Sequence, residues 1–153
     1  MNNQNQLIIK QLDSKMQKLR FAKGPITPSN GWIRAIRTAL GMPRRSLAKK
    51  LGIAEQTLQG IEEREVEGTI ALKTLRETAA SMDLVLIYGF VPKDGTLQTF
   101  IRKKAYEAAK KIVLRTAHTM SLEDQAISDK RIKAAIKEKA QELESKLPNF
   151  LWD

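Results

Sequence analysis

The sequence predicts a mainly all-α fold carrying one short strand. Three observations lead there. Apolar residues recur at steps of three or four through most of the chain, the period of a helix with one buried face. Glycine and proline punctuate those stretches at Gly24-Pro25, Gly41 to Pro43, Gly52, Gly68 and Gly95. Only residues 84–91, LVLIYGFV, have the composition of a strand.

Residues 5–21 read as the first helix, with Ile8, Leu12, Met16 and Leu19 on one stripe. Lys23-Gly24-Pro25 stops it, and residues 27–31, TPSNG, form a linker expected to cap the next helix. Trp32, Ile33, Ile36 and Leu40 give that second helix its stripe, and Gly41 ends it. Pro43 then opens a short helix to Leu51, since a first-turn proline loses no needed hydrogen bond. Gly52-Ile53 turns the chain, Ala54 to about Arg64 forms the next helix, and Gly68-Thr69 is a loop. Ala71 to Met82 follows as a helix with Leu72, Leu75, Ala79 and Met82 directed inward.

The strand at 84–91 has no second strand to pair with in the chain. A lone strand leaves a row of unpaired N–H and C=O groups, so pairing with its own copy in a homodimer is expected. Leu97, Phe100, Ile101, Ala105, Ala108 and Ile112 mark a helix to about Thr119. Ser121 with Asp124 three residues on is the expected cap of a last helix through Leu147, with Ile132, Ile136, Leu143 and Leu147 inside. Four segments result: 1–30, an N-terminal helix and linker; 31–83, a helix-turn-helix; 84–92, the strand; and 96–153, a helical region for dimerisation or partner binding.

Composition narrows the chemistry. The chain has 153 residues, no cysteine and a single histidine, His118. Disulfides, cysteine-ligated zinc and thiol catalysis are excluded, and no metal, cofactor or enzymatic activity is expected. Neither phosphate-cradling glycine motif occurs. Glu62, Glu63, Glu65 and Glu67 read as solvated acids, not as a metal cluster. No apolar run is long enough to span a bilayer and the opening MNNQNQ lacks a signal pattern, so a cytoplasmic protein is expected.

The formal net charge is +10, which suits a polyanionic partner. Residues 1–30 carry +4, residues 31–82 carry +3, residues 83–120 carry +4 and residues 121–153 carry −1. Arg34, Arg37, Arg44, Arg45, Lys49 and Lys50 all precede the first acid of their segment. Arg102-Lys103-Lys104 and Lys110-Lys111 either extend a phosphate grip or simply solvate an amphipathic helix.

The window from Arg44 to Glu63 has the pattern of a helix-turn-helix. Leu47, Leu51, Leu58 and Ile61 supply the facing sides of two steeply crossed helices, and Ile53 plugs the corner. Ala48 is small enough for close approach, and Gly52 can adopt the positive φ of the turn. With the second helix in a major groove, Glu55, Gln56 and Gln59 would meet base edges. Gln pairs with adenine and Glu accepts from the cytosine amino group. Arg44, Arg45 and Lys49, at or near the start of the first helix, are the phosphate-binding candidates, with Thr57.

The stretch from Trp32-Ile33-Arg34-Ala35-Ile36-Arg37 through Leu47-Ala48-Lys49-Lys50-Leu51-Gly52-Ile53 to Thr57-Leu58-Gln59-Gly60-Ile61-Glu62 resembles the Cro/CI-type (XRE) helix-turn-helix domain over about residues 31–83. The wider chain, with GPITPSNGWIRAIRTALGMPRRSLAKKLGI and the strand to Pro92, resembles the mobile mystery protein A family. The first resemblance implies a dimer on a palindromic double-stranded DNA operator. The second implies an antitoxin that represses its own operon and neutralises a Fic-domain toxin. One departure bears on the second. Many Fic-inhibiting antitoxins carry Ser/Thr-x-x-x-Glu-Gly/Asn, whereas the only Glu here followed by Gly or Asn is Glu67, with Glu63 four residues before it. Contact with a toxin is therefore expected through the N-terminal helix or the two C-terminal helices. The alternative is a protein-interaction module whose helix-turn-helix binds DNA only weakly.

Overall fold

A computed structural model describes residues 3–24, 26–123 and 128–153. It contains α1 (Asn3–Gln17), α2 (Trp32–Ala39), α3 (Arg44–Leu51), α4 (Glu55–Glu67), α5 (Leu72–Ser81), α6 (Leu97–Leu122) and α7 (Asp129–Lys146), with 3-10 turns at Arg20–Lys23 and Asn149–Trp152. No helix among the described residues is long and apolar enough to cross a membrane.

The chain divides into two compact units, Ala22–Gly89 and the remainder. The first holds α2 to α5. Its core is Ile33, Leu47, Ala48, Leu58, Ile61 and Met82, with Ile36, Met42, Leu51, Ile53, Ile70 and Leu75 packed against it. The expected α5 stripe is corrected in part: Leu72 is exposed and Thr78 is fully buried in its place. Thr78 tolerates that position because its hydroxyl donates to the Thr74 carbonyl at 2.8 Å, one turn back. Trp32 and Leu40 also lie outside the core their stripe predicted.

The start of α2 differs from expectation too. No side chain of the 27–31 linker caps it. Glu65 of α4 does so across the unit, accepting from the backbone N–H of Trp32 at 2.8 Å and of Ile33 at 3.0 Å. A carboxylate there satisfies orphan donors and complements the positive end of the helix dipole.

The second unit is built on the antiparallel pair α6 and α7. Ala105 and Ala109 of α6 face Ile136 and Leu143 of α7, and Leu151 of the C-terminal turn closes the cluster. Alanines on the facing side let the backbones approach, and bulky α7 residues fill the gap. The α7 stripe of Ile132, Ile136, Leu143 and Leu147 matches its expectation. The boundary between the two helices does not. Ser121 lies inside α6, which runs to Leu122, and Ser128 caps α7 by accepting from Arg131 N–H. Asp124 lies outside the described residues.

Thr96 and Thr99 form a reciprocal capping box at the start of α6. Asp13 of α1 adds to it, accepting from the N–H of Leu97 at 2.7 Å and of Gln98 at 3.3 Å. Near the end of α7, hydrogen bonds from Lys146 and Lys139 pull the pKa of the Glu142 carboxyl down to about 2.

Residues 84–91, expected as a strand, carry no regular secondary structure, and no strand occurs among the described residues. Leu84 N–H still donates to the Ala79 carbonyl of the preceding helix end. Beyond it, Val85, Ile87 and Phe90 stand 85, 75 and 82 % exposed.

Candidate nucleic-acid interface

The two helices singled out by sequence pattern, α3 and α4, pack directly on one another. Leu47 and Ala48 of α3 are buried against Leu58 and Ile61 of α4. The turn between them is set by Gly52, which takes φ 67° and ψ 30°. Ile53 N–H returns to the Ala48 carbonyl at 3.0 Å, closing the end of α3 while Ile53 packs on the core. The left-handed conformation costs a residue with a Cβ about 1–2 kcal/mol, which explains glycine at this position.

With Leu58 and Ile61 inward, the residues between them are turned outward. Glu55, Gln56, Thr57 and Gln59 are all exposed on the first turns of α4. Gln59 donates to Glu63 at 3.0 Å, so its amide is oriented along the helix surface. The N-termini of α3 and α4 carry no side-chain cap, unlike that of α2. Their open N–H groups are suited to phosphate oxygens.

The candidate phosphate contacts fall into two kinds. Arg45 is 88 % exposed at its side chain, lies 4.0 Å from Glu55 and so joins the start of α3 to the start of α4. Lys49 is exposed one turn later. Arg44 is drawn inward, with Nε 3.6 Å from Glu62 Oε2 and no hydrogen-bond partner for that nitrogen among the described residues.

Glu62, like Glu65, departs from its expectation as a solvated acid. It is 1 % exposed, not solvated, and gathers three guanidinium groups. Arg37 Nε donates to Oε1 at 2.7 Å, Arg37 Nη2 and Arg34 Nε each donate to Oε2 at 3.3 Å, and Arg44 stands beside them. Burial alone would raise its pKa. The hydrogen bond and charge of Arg37, with Arg34 and Arg44, outweigh that and hold it below the usual carboxylate value. Arg37 also donates to the Met42 carbonyl at 3.1 Å, tying the α2–α3 loop into the network.

The signal for this arrangement was present in the sequence. Glu62 follows Leu58 by four and Ile61 by one, so it borders the buried stripe, and four arginines precede it in the same domain. Of the four acids at 62–67, two are structural: Glu62 binds arginines and Glu65 caps α2. Among the described residues, no group of three or more His, Asp or Glu is placed to hold a metal ion.

No curated protein and no solved structure matches the chain. Residues 33–81 match the helix-turn-helix family model, the span that holds α2 to α5. The buried α3–α4 crossing, the left-handed turn at Gly52 and this match together give the chain an XRE-type helix-turn-helix domain, the kind that DNA-binding transcription regulators carry.

Proposed function

We propose that the chain is a sequence-specific transcriptional repressor that binds a palindromic operator as a homodimer. The observation that carries this reading is the outward row of Glu55, Gln56 and Gln59 at the start of α4, flanked by Arg45 and Lys49. Base-reading groups and phosphate-binding groups then share one edge of the domain. Homodimerisation through antiparallel pairing of two copies of residues 84–91 is supported by their strand-like composition and by the exposure of Val85, Ile87, Tyr88 and Phe90. The chain is read as a binder and not as an enzyme, supported by its single histidine and lack of cysteine.

The same proposal makes it the antitoxin of a Fic-domain toxin, repressing its own operon. That part is supported by the resemblance to mobile mystery protein A. A second reading, a protein-interaction module with weak DNA binding, is favoured by the exposed apolar residues of α1, Leu7, Ile8 and Leu12. The test that separates the readings is titration of the purified protein onto its own promoter DNA, against scrambled competitor and increasing salt. Tight, competitor-resistant binding with a steep salt dependence supports the repressor. Equal, weak binding to both DNAs supports the interaction module.

A further inference from the structure

The unit built on α6 and α7 carries most of the net charge, and its bases are of two kinds. Some are paired with acids: Arg102 lies 3.6 Å from Glu144, and Lys139 and Lys146 each lie 2.9 Å from Glu142. Lys103, Lys104, Lys110, Lys111 and Arg115 form no ion pair among the described residues, and all but the half-buried Lys104 are exposed.

These five positions are not scattered. At about 100° per residue they fall within an arc of roughly 140° on α6, on the side away from Ile101, Ala105 and Ala109. Glu107 is the one acid on that arc, so the face carries +4. From Lys103 to Arg115 it extends about 18 Å, a length over which duplex DNA presents about ten phosphates.

We infer that this face of α6 is a second DNA-contacting surface, gripping the phosphate backbone without reading sequence. Its composition selects the partner. Protein interfaces are depleted in lysine at their centres, whereas lysine and arginine rows are what phosphate backbones recruit. The inference rests on the proposal that the helix-turn-helix holds DNA. A duplex held there stays at high effective concentration for the rest of the same chain, so contacts that are weak alone add to affinity.

The experiment uses the full chain and a 40-base-pair duplex of arbitrary sequence, with affinity followed by fluorescence anisotropy over a range of salt. The variant is Lys103→Gln/Lys110→Gln/Lys111→Gln/Arg115→Gln, since glutamine keeps nearly the helix propensity of lysine and none of the four is in the α6–α7 core. Each lost phosphate contact flattens the slope of log affinity against log salt by about 0.9, so loss of all four contacts should flatten it by about 3.6 units. Lys110→Gln/Lys111→Gln alone should give about half of it, which keeps the test open should the fourfold variant lose helicity. If the wild-type chain binds with a steep slope and both variants retain it within about half a unit, this inference is overturned while the DNA-binding proposal stands. If the wild-type chain binds no duplex at all, both fall.

Discussion

Glu62 shows how one side chain can organise a domain without touching its partner. Its carboxylate is the anchor for Arg34, Arg37 and Arg44, and therefore ties α2 and the start of α3 to α4. Removing one partner of a buried pair costs about 3–5 kcal/mol, and because two of the arginines keep access to water, Glu62→Ala should cost about 3 kcal/mol in chemical denaturation. The pH dependence has a definite sign. The folded-state pKa lies below the ordinary value of 4.5, so the stabilisation is present above about pH 4.5 and is lost as pH falls through the folded value. A Glu62→Gln chain should unfold with a shallower acid dependence than wild type. Gly31 is a second such position: it has φ +79°, and a Cβ there would sit 2.8 Å from Glu65 Oε2. Gly31→Ala should displace the Glu65 cap and lower stability by about 1–2 kcal/mol. The proposed base-reading residues behave differently, because they lie outside the core and their side-chain bonds are made to exposed groups. Gln56→Ala and Gln59→Ala should leave the melting temperature unchanged and remove preference for the operator over scrambled DNA. Arg45→Ala should instead weaken binding to all sequences, with a salt slope flatter by about one unit.

The elements divide by how local their causes are. The α3–turn–α4 pair was legible in sequence because each part has a short-range determinant: the stripe of Leu47, Leu51, Leu58 and Ile61, and a glycine where φ must be positive. The α7 stripe was legible for the same reason. Three other features differ from the expectation, one of them because its cause is a distant residue. The cap of α2 comes from Glu65, more than thirty residues away, and not from the adjacent linker. The inward residue of α5 is Thr78, which periodicity of apolar residues overlooks. The break between α6 and α7 falls after Leu122, since α6 continues through Ser121. Residues 84–91 are the element with the most direct test. Proline at Ile87 removes an N–H and cannot sit in a paired central position. On the proposed dimer, Ile87→Pro should shift the protein from dimer to monomer in sedimentation velocity, with the helical content retained. An unchanged sedimentation coefficient would remove this segment from the interface.

At the scale of the whole molecule, the chain is two compact units with separate cores. Charge alone suggested a polyanion partner, and the structure refines which charges are free for one. Arg34 and Arg37 are committed to Glu62, Arg102 to Glu144, and Lys139 and Lys146 to Glu142. Arg45 and Lys49 in one unit and the outer face of α6 in the other remain exposed without strong pairing. The sequence by itself determined the helical class, the helix-turn-helix and the residues displayed at the start of α4. Each of those follows from period, turn chemistry and residue type within about twenty positions. Only the tertiary structure decided that Glu62 and Glu65 are structural, that Arg44 leans inward, and that the chain before Phe21 belongs with α6 and α7. Those outcomes depend on which groups meet across long separations, where burial and pairing set the energy and local pattern does not.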